Sequence, residues 1–292
     1  MTAPEPAPER TAKAGRIAVI GLGPGGSEWR TPEAEERLEQ ATDLVGYRTY
    51  LKQAGPLGPH QQCHSFNNRQ EAARAAFALD LAAAGKDVAV VSSGDPGIFA
   101  MASAVIEELH RENASGRWDG VEVTIVPGVT AATAAAARIG APLGHDLCLI
   151  SLSDVLKPWE VIARRLDAAA EADFAIGLYN PLSRHRPWQL ARAIEILAAH
   201  RAPDTPVVRA RNVGRPEETV EATTLGEVDP ATVDMSTILL VGSSTTRAFT
   251  DSGGRRWVYT PRNYPSDPAD PTDPAEDAPP APATATTPSS EK

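Results

Sequence analysis

The chain of 292 residues contains only two cysteines, Cys63 and Cys148, and no CxxC pair. Two thiols so far apart indicate neither a disulfide framework nor a cysteine-based zinc site. The adjacent pair Cys63 and His64 cannot enclose a metal ion by itself. Aromatic residues make up only 5% of the chain, so large stacking platforms for nucleic-acid bases are not expected. The sequence therefore predicts no metal site and no base-stacking surface.

Long apolar runs are also missing from the sequence. No stretch approaches the roughly 20 apolar residues that a membrane helix requires. The N-terminus lacks the apolar segment that is typical of a secretory signal. We therefore expect a soluble, cytoplasmic protein that does not act at a membrane.

The formal net charge is −10, and it is unevenly distributed. Residues 266–292 hold six acidic side chains and one lysine, a net charge of −5. The rest of the chain also carries −5, so it lacks the excess of cations that general nucleic-acid binding requires. Residues 266–292 contain seven prolines and no large apolar side chain, and residues 1–14 are also rich in proline. We predict both segments to be disordered, because they bury too little apolar surface to offset the entropy of ordering.

Short β-branched runs alternate with longer helical patterns between residues 15 and 265. This succession is typical of βαβ units, which form parallel sheets with right-handed crossovers. Residues 15–140 are predicted to form an N-terminal α/β domain with a mainly parallel sheet. Residues 146–265 are predicted to form a C-terminal α/β domain. Its sheet should be mixed, because the strands at 206–214 and 218–225 are separated only by a short turn.

The first candidate ligand-binding turn is the glycine-rich segment 21–26, directly after the first predicted strand. Its glycines at 21, 23 and 26 match a dinucleotide-binding turn, in which main-chain N–H groups approach a pyrophosphate. Pro24, however, removes one of those N–H donors. The acidic residue expected about 20 positions later is present only as Asp43, at the start of the next strand rather than its end. These departures disfavour a dinucleotide, and a tight strand-to-helix turn explains the glycines equally well.

The second turn, residues 92–99, lies at the carboxyl end of an apolar strand, where open α/β sheets place their ligands. Asp95 in this turn has two interpretations. Its carboxylate can accept a hydrogen bond from a ribose hydroxyl or from the α-amino group of a small ligand. It can equally cap a helix that Pro96 begins.

The third turn, residues 126–132, joins a strand to a helix of small residues. Main-chain N–H groups exposed at such a helix N-terminus suit a carboxylate. A tightly packed alanine helix is the plain alternative.

Together, these turns resemble the tetrapyrrole methylase family, and the resemblance covers nearly all of residues 16–249. The GxGPG, GDP and PGxTA segments of the family are similar to residues 21–25, 94–96 and 127–131. Its second-domain motifs are similar to LYNP, RNVGRPEE and STILLVGSS, at residues 178–181, 211–218 and 236–244.

The resemblance implies two α/β domains, the class III methyltransferase fold, with S-adenosylmethionine in the cleft between them. It also implies a homodimer. An acidic residue that follows the second strand in uroporphyrinogen methylases is not matched here, where Arg48 follows Gly46 and Tyr47, so no catalytic residue is carried over. The implied cofactor contacts are Pro24, Gly94, Asp95, Ile98, Thr130, Ala131, Tyr179, Asn180, Asn212, Val213, Ser236 and Thr237.

Segments such as LKPWE at 156–160 and WVYTPR at 257–262 are most similar to one branch of the family. That branch methylates C17 of precorrin-3B in cobalamin synthesis, with ring contraction to precorrin-4. Such an anionic tetrapyrrole should be bound by arginines, and Arg48, Arg184, Arg186 and Arg215 lie in predicted loops at strand ends. Two alternatives are a methylase acting on cobalt-precorrin-3 and, from another class, a noncatalytic tetrapyrrole- or nucleotide-binding module.

Overall fold

A computed structural model describes residues 14–67 and 70–263. The two segments predicted to be disordered, 1–14 and 266–292, lie outside the described residues except for Ala14.

Strands and helices alternate along the first half of the chain, as the sequence predicts. The strands are β1 (Arg16–Gly21), β2 (Asp43–Tyr47), β3 (Gln62–Phe66), β4 (Asp87–Ser92), β5 (Glu122–Val126), β6 (Gly140–Ala141), β7 (Leu147–Ser151), β8 (Ala175–Tyr179), β9 (Pro206–Arg211), β10 (Thr219–Thr224), β11 (Thr237–Val241), β12 (Arg247–Thr250) and β13 (Arg256–Tyr259). The α-helices are α1 (Pro32–Gln40), α2 (Arg48–Ala54), α3 (Glu71–Ala83), α4 (Met101–Glu112), α5 (Ala131–Ile139), α6 (Trp159–Glu171) and α7 (Gln189–Ala198).

The first sheet has five parallel strands in the order β3-β2-β4-β1-β5. Alternate side chains of β1 point to opposite faces, and both faces are covered. Ile17 and Val19 pack with α3 and α4, whereas Ala18 and Ile20 pack with α1 and α2. Burial on both faces explains why β1 and β4 are almost continuously apolar. The mainly parallel sheet predicted for this part of the chain is confirmed.

The second sheet has the order β10-β9-β11-β8-β7. Strands β7 and β8 are parallel, and the other pairs are antiparallel. The predicted pairing of the neighbouring strands β9 and β10 is therefore confirmed, as is the mixed sheet. Helices α6 and α7 cover one face through Leu166 and Leu190. The other face is covered by α5, whose Ala132 and Ala135 pack against Val208 and Leu240.

The packing of helix α5 does not agree with the predicted boundary between the domains. The sequence prediction includes it in the N-terminal domain, residues 15–140. Its buried side chains, however, lie in the core of the second sheet. This packing favours a boundary before α5, close to Gly128, and the domain limits remain a proposal.

Several elements were not predicted from the sequence. Helix α2 follows β2 directly and buries only Leu51, so it has little of the apolar periodicity that reveals a helix. Strand β3 is an edge strand with mostly exposed or half-exposed residues. Strands β12, β13 and β6 form a separate three-stranded sheet. Helix α4 begins at Met101, not at Pro96, where one interpretation of Asp95 placed the start of a helix.

Within residues 14–67 and 70–263, no helix combines the length and the apolar character needed to cross a membrane. In the same residues, no group of three or more histidine, cysteine or acidic side chains is placed to hold a metal ion. Cys63 is exposed, and His64 is directed at Asp43, with Nε2 2.7 Å from Oδ1.

Candidate active site

The three candidate turns meet above the carboxyl ends of β4, β1 and β5, which are neighbours in the first sheet. Gly23 and Gly94 exchange two main-chain hydrogen bonds, N to O, of 3.1 and 2.7 Å. A Cβ atom on Gly128 would lie only 2.3 Å from the Gly94 carbonyl oxygen. The turns therefore pack main chain against main chain, which is a close approach that only glycine allows.

Asp95 joins the second turn to the third. Its Oδ1 accepts a hydrogen bond from Gly97 N at 2.7 Å, and its Oδ2 accepts one from Gly128 N at 3.0 Å. The interpretation of Asp95 as a cap for a helix beginning at Pro96 is wrong, because α4 begins at Met101 and follows Ala100. Each carboxylate oxygen retains a further lone pair, so Asp95 can still accept from a bound ligand.

Tyr179, at the end of β8, binds the N-terminus of α5. Its hydroxyl accepts from Ala132 N at 3.0 Å and lies 2.6 Å from Thr130 Oγ1. Thr130 itself does not cap the helix with its side chain. Burial raises the pKa of the Tyr179 phenol, although its hydrogen bond with Thr130 lowers it in part. The phenol therefore stays protonated at neutral pH.

Phe99, in the second turn, contacts Tyr179 at the end of β8. Its ring centroid lies 5.3 Å from that of Tyr179, in an edge-to-face arrangement. Phe99 is 50% exposed, and its φ of 54° is in the left-handed region, which a bulky side chain rarely adopts. The unusual backbone at Phe99 therefore places a half-exposed ring against Tyr179.

Among the other predicted contacts, Asn180 and Asn212 both have left-handed backbone conformations, with φ of 51° and 52°. Asn180 Nδ2 donates to Ser151 Oγ at 2.9 Å, and Asn212 N donates to the Ser236 carbonyl at 3.1 Å. Asn212 and Ser236 are therefore neighbours on one edge of the cleft. Val213 follows Asn212 and is buried.

Thr237 is less well placed for a ligand. It is 5% exposed, its hydroxyl donates to Asp234 Oδ1 at 2.9 Å, and its N–H donates to the Asp234 carbonyl. Its polar groups are therefore engaged by Asp234. These hydrogen bonds do not favour the predicted contact between Thr237 and the cofactor, which stays a prediction.

The loop 211–218 of the second domain touches the first glycine turn. Gly26 N donates to the Gly214 carbonyl at 3.1 Å. A Cβ atom on Gly25 would lie 1.7 Å from that same oxygen. Arg215 Nε donates to the Pro24 carbonyl at 2.6 Å. The loop 211–218 and the first turn are therefore in direct contact, as are Phe99 and Tyr179.

The four arginines predicted to bind a substrate have different positions. Arg48 and Arg184 are exposed. Arg186 is only 7% exposed, and its Nη1 donates to the Asn180 carbonyl at 2.8 Å. Because Arg186 is buried, it does not fit the predicted role of binding a substrate carboxylate. Arg215 is half-buried and donates a hydrogen bond to the Pro24 carbonyl.

Sequence reasoning did not select Gln53 or Ser93, which also contact the first turn. Ser93 lies inside the second turn, so its proximity to a glycine-rich motif was the available signal. No signal in the sequence marks Gln53, because its helix α2 was itself not predicted. Phe99 was part of a recognised segment, but nothing in the sequence indicated its left-handed backbone.

The residues around this cleft fit S-adenosylmethionine. A Cβ atom on Gly94 would lie 3.8 Å from Thr130 Cα, so the second turn faces the start of α5 across a narrow space. The N-terminus of α5 suits the carboxylate of an amino acid, and Asp95 can accept from an ammonium or a hydroxyl group. A dinucleotide fits less well, because Thr31 Oγ1 already caps the helix that follows the first turn, at 3.1 Å from Ala34 N.

A five-stranded parallel sheet, a mixed five-stranded sheet and a glycine-lined cleft between them define an α/β protein with the class III methyltransferase fold. The family model for tetrapyrrole (corrin/porphyrin) methylases matches residues 16–229. The chain belongs to this family, so the predicted family and fold class are both confirmed. Membership implies S-adenosylmethionine as the cofactor.

Individual relatives are similar over most of the chain. The cobalamin biosynthesis protein CobIJ of Mycobacterium bovis is 51% identical over 261 residues, which are 88% of this chain and 50% of that protein. The chain thus spans about half the length of this relative. The precorrin-3B C(17)-methyltransferase of a Sinorhizobium species is 50% identical over 86% of this chain and 97% of that protein. The crystal structure of the methyltransferase CobJ matches with a TM-score of 0.79 and 46% identity, over 85% of this chain and 100% of that one.

Proposed function

We propose that the chain transfers a methyl group from S-adenosylmethionine to C17 of precorrin-3B, with ring contraction to precorrin-4. The observation that carries this proposal is the 50% identity to a precorrin-3B C(17)-methyltransferase over 97% of that protein. The cleft supports it, because its main-chain groups, Asp95 and the α5 N-terminus suit the cofactor that the family implies.

When bound, S-adenosylmethionine would supply an electrophilic methyl group for transfer to a carbon nucleophile of the substrate. The chain's own contribution is to hold donor and acceptor in line, which supplies much of the rate gain in such transfers. Asp95 and the N-terminus of α5 would bind polar groups of the cofactor, and Pro24, Ile98 and Val213 would contact its apolar parts.

The substrate proposal depends on charge and on exposed apolar side chains. Arg48 and Arg184 are exposed and carry cations suited to carboxylates. Leu156 is 91% exposed in the loop after β7, and Trp188 is 44% exposed after β8. Exposed apolar groups at the carboxyl ends of strands suit the face of a macrocycle. A homodimer and a cytoplasmic location remain part of the proposal.

Calorimetry with S-adenosylhomocysteine tests the cofactor site, and incubation with metal-free precorrin-3B and labelled S-adenosylmethionine tests the reaction. We expect one bound cofactor per chain, methyl incorporation and a ring-contracted chromophore. Absence of cofactor binding at millimolar concentration would reject the proposal that the chain is a methyltransferase. Reaction of the cobalt complex alone would assign the chain to the cobalt-containing substrate instead.

A further inference from the structure

Arg215 connects the two domains at the edge of the cleft. Its Nε donates to the Pro24 carbonyl at 2.6 Å, and its Nη2 donates to Ser93 Oγ at 2.7 Å. Nη2 also lies 3.4 Å from Gln53 Oε1. One guanidinium from the second domain therefore engages the first turn, the second turn and helix α2 of the first domain together.

Gln53 completes this arrangement from the other side of the first turn. Its Nε2 donates to the Gly23 carbonyl at 2.8 Å and to the Gly25 carbonyl at 3.0 Å. The carbonyl of Pro24, between them, is taken by Arg215. Three consecutive carbonyls are therefore held by two side chains. Because flipping a peptide would break at least one of these bonds, the orientation of the turn is determined.

The loop that carries Arg215 is itself held in place. Gly214 N donates to Glu218 Oε2 at 2.6 Å, and Glu218 Oε1 accepts from Arg138 Nε at 2.8 Å. Arg215 N donates to the Asn212 carbonyl at 2.9 Å. A displacement of Arg215 would therefore move Asn212 and Val213 as well, two of the predicted cofactor contacts.

The hydrogen-bond partners of the Arg215 guanidinium in the described part of the chain are neutral: a carbonyl, a hydroxyl and a side-chain amide. These bonds use Nε and both N–H groups of Nη2, so neither bidentate edge of the guanidinium is fully available to a substrate carboxylate. The planar fork of arginine reaches two acceptors at once, whereas the single ammonium group of a lysine does not replace that geometry.

We propose that Arg215 is a positioning residue that holds the two halves of the cofactor site together, and that it does not contact the tetrapyrrole. This inference rests on the proposed function, because it assigns the cleft to S-adenosylmethionine. Loss of the guanidinium should let the loop 211–218 move away from the first turn. The cofactor would then lose contacts on one side of the cleft, while the substrate side is little changed.

The test compares Arg215→Lys with Arg209→Lys in the full chain. Arg209 lies on β9 and pairs with Glu221, away from the three turns. We expect Arg215→Lys to weaken S-adenosylhomocysteine binding about tenfold, the effect of one lost charge-assisted hydrogen bond, and to raise the KM for S-adenosylmethionine similarly. The KM for the tetrapyrrole and kcat should change less than twofold, and Arg209→Lys should match the wild type. A raised tetrapyrrole KM with an unchanged cofactor KM would overturn the proposal and make Arg215 a substrate contact.

Ser93→Ala provides a second arm. If Arg215 acts through the second turn, the effects of the two substitutions should overlap. The cofactor Kd of the double variant should then lie within about twofold of the Kd of the weaker-binding single variant. Fully additive effects would contradict this coupling.

Hydrogen exchange without any ligand separates this inference from the proposed function. Amides of residues 22–30 and 211–218 should exchange faster in Arg215→Lys than in Arg209→Lys. Unchanged exchange would reject the connection between the domains. Failure of the wild type to bind the cofactor would reject the proposed function. The hydrogen-exchange comparison of the two variants would still decide whether Arg215 connects the domains.

Discussion

At the residue scale, the site depends on side chains that bind main-chain groups of another segment. Asp95 accepts from Gly97 and Gly128, and Tyr179 accepts from Ala132. These hydrogen bonds satisfy N–H groups at turns and at a helix N-terminus, where the chain has no internal acceptor for them. Both side chains thus have a structural role in addition to their predicted role with a ligand.

Asp95→Ala should affect both stability and cofactor binding. The change leaves two N–H groups without their acceptor, so we expect a loss of about 1–3 kcal/mol in the free energy of unfolding and a clear rise in the cofactor KM. Urea unfolding and steady-state kinetics measure the two effects. Asp146→Ala is the matched control, because the Asp146 side chain is 82% exposed. An unchanged KM would restrict Asp95 to a structural role.

Tyr179→Phe removes the hydroxyl that binds the start of α5. We expect about 1–2 kcal/mol less stability, since Ala132 N–H and Thr130 lose a partner. Tyr259→Phe, at a residue that is 40% exposed, should have little effect.

The pH dependence of Tyr179 gives a second measurement. Because burial raises its pKa in the folded protein, its contribution to stability is complete below the ordinary tyrosine value of about 10 and is lost as the pH rises through the folded value. Ultraviolet titration should therefore show a late-ionising phenol that is absent from Tyr179→Phe. An unchanged titration curve in the variant would contradict the assignment.

At the scale of elements, the cleft is built from strand-to-helix turns whose main chains touch. Gly23 and Gly94 form an isolated two-residue bridge, and Gly25 lies against Gly214 in the other domain. A Cβ atom on Gly23 would lie only 2.7 Å from Trp29 Cβ, and Gly94 has a φ of 70°, which favours glycine. The glycines of the first turn therefore have a packing role that does not depend on any ligand.

Gly25→Ala tests this contact between the turn and the loop 211–218. Its new Cβ would lie 1.7 Å from the Gly214 carbonyl oxygen, so the loop must move. We expect a loss of about 1–3 kcal/mol in stability and weaker binding of S-adenosylhomocysteine. The control is Gly253→Ala in an exposed hairpin, where the nearest atom, Asp251 Oδ1, is 3.3 Å away. Equal unfolding midpoints for the two variants would refute the close contact.

At the scale of the whole molecule, side chains of one domain reach the turns of the other. Phe99 of the second turn contacts Tyr179, and Arg215 donates to the first turn. Helix α5 itself packs on the second sheet although it follows β5 of the first. The ligand cleft is therefore formed between segments that are distant in sequence.

Native-state hydrogen exchange can test which domain includes α5. Segments that open as one cooperative unit exchange with the same free energy. In moderate denaturant, we expect amides of α5 to follow those of β9 and β11 rather than those of β1 and β5. Exchange of α5 together with β5 would instead favour the boundary near residue 140 that the sequence suggested.

Much of this architecture was predictable from local patterns. The alternation of strands and helices predicted the parallel sheet, and the short turn between β9 and β10 predicted their antiparallel pairing. Helix α2 was not predictable, because it buries a single leucine and lacks a capping side chain. The hydrogen bond between Asp95 and Gly128 was also not predictable, because the two residues are 33 positions apart. Only the strand order β4-β1-β5 brings them together.

The sequence by itself determined the alternation of strands and helices, the three glycine turns and, through them, the family and its cofactor. These properties depend on local periodicity and on short motifs, which are readable without the fold. The tertiary structure alone decided that Arg186 is buried, that Arg215 bonds to Pro24, and that α5 packs on the second sheet. The physical reason is that hydrogen-bond partners and burial depend on which distant segments meet, and that is set by strand order and domain packing.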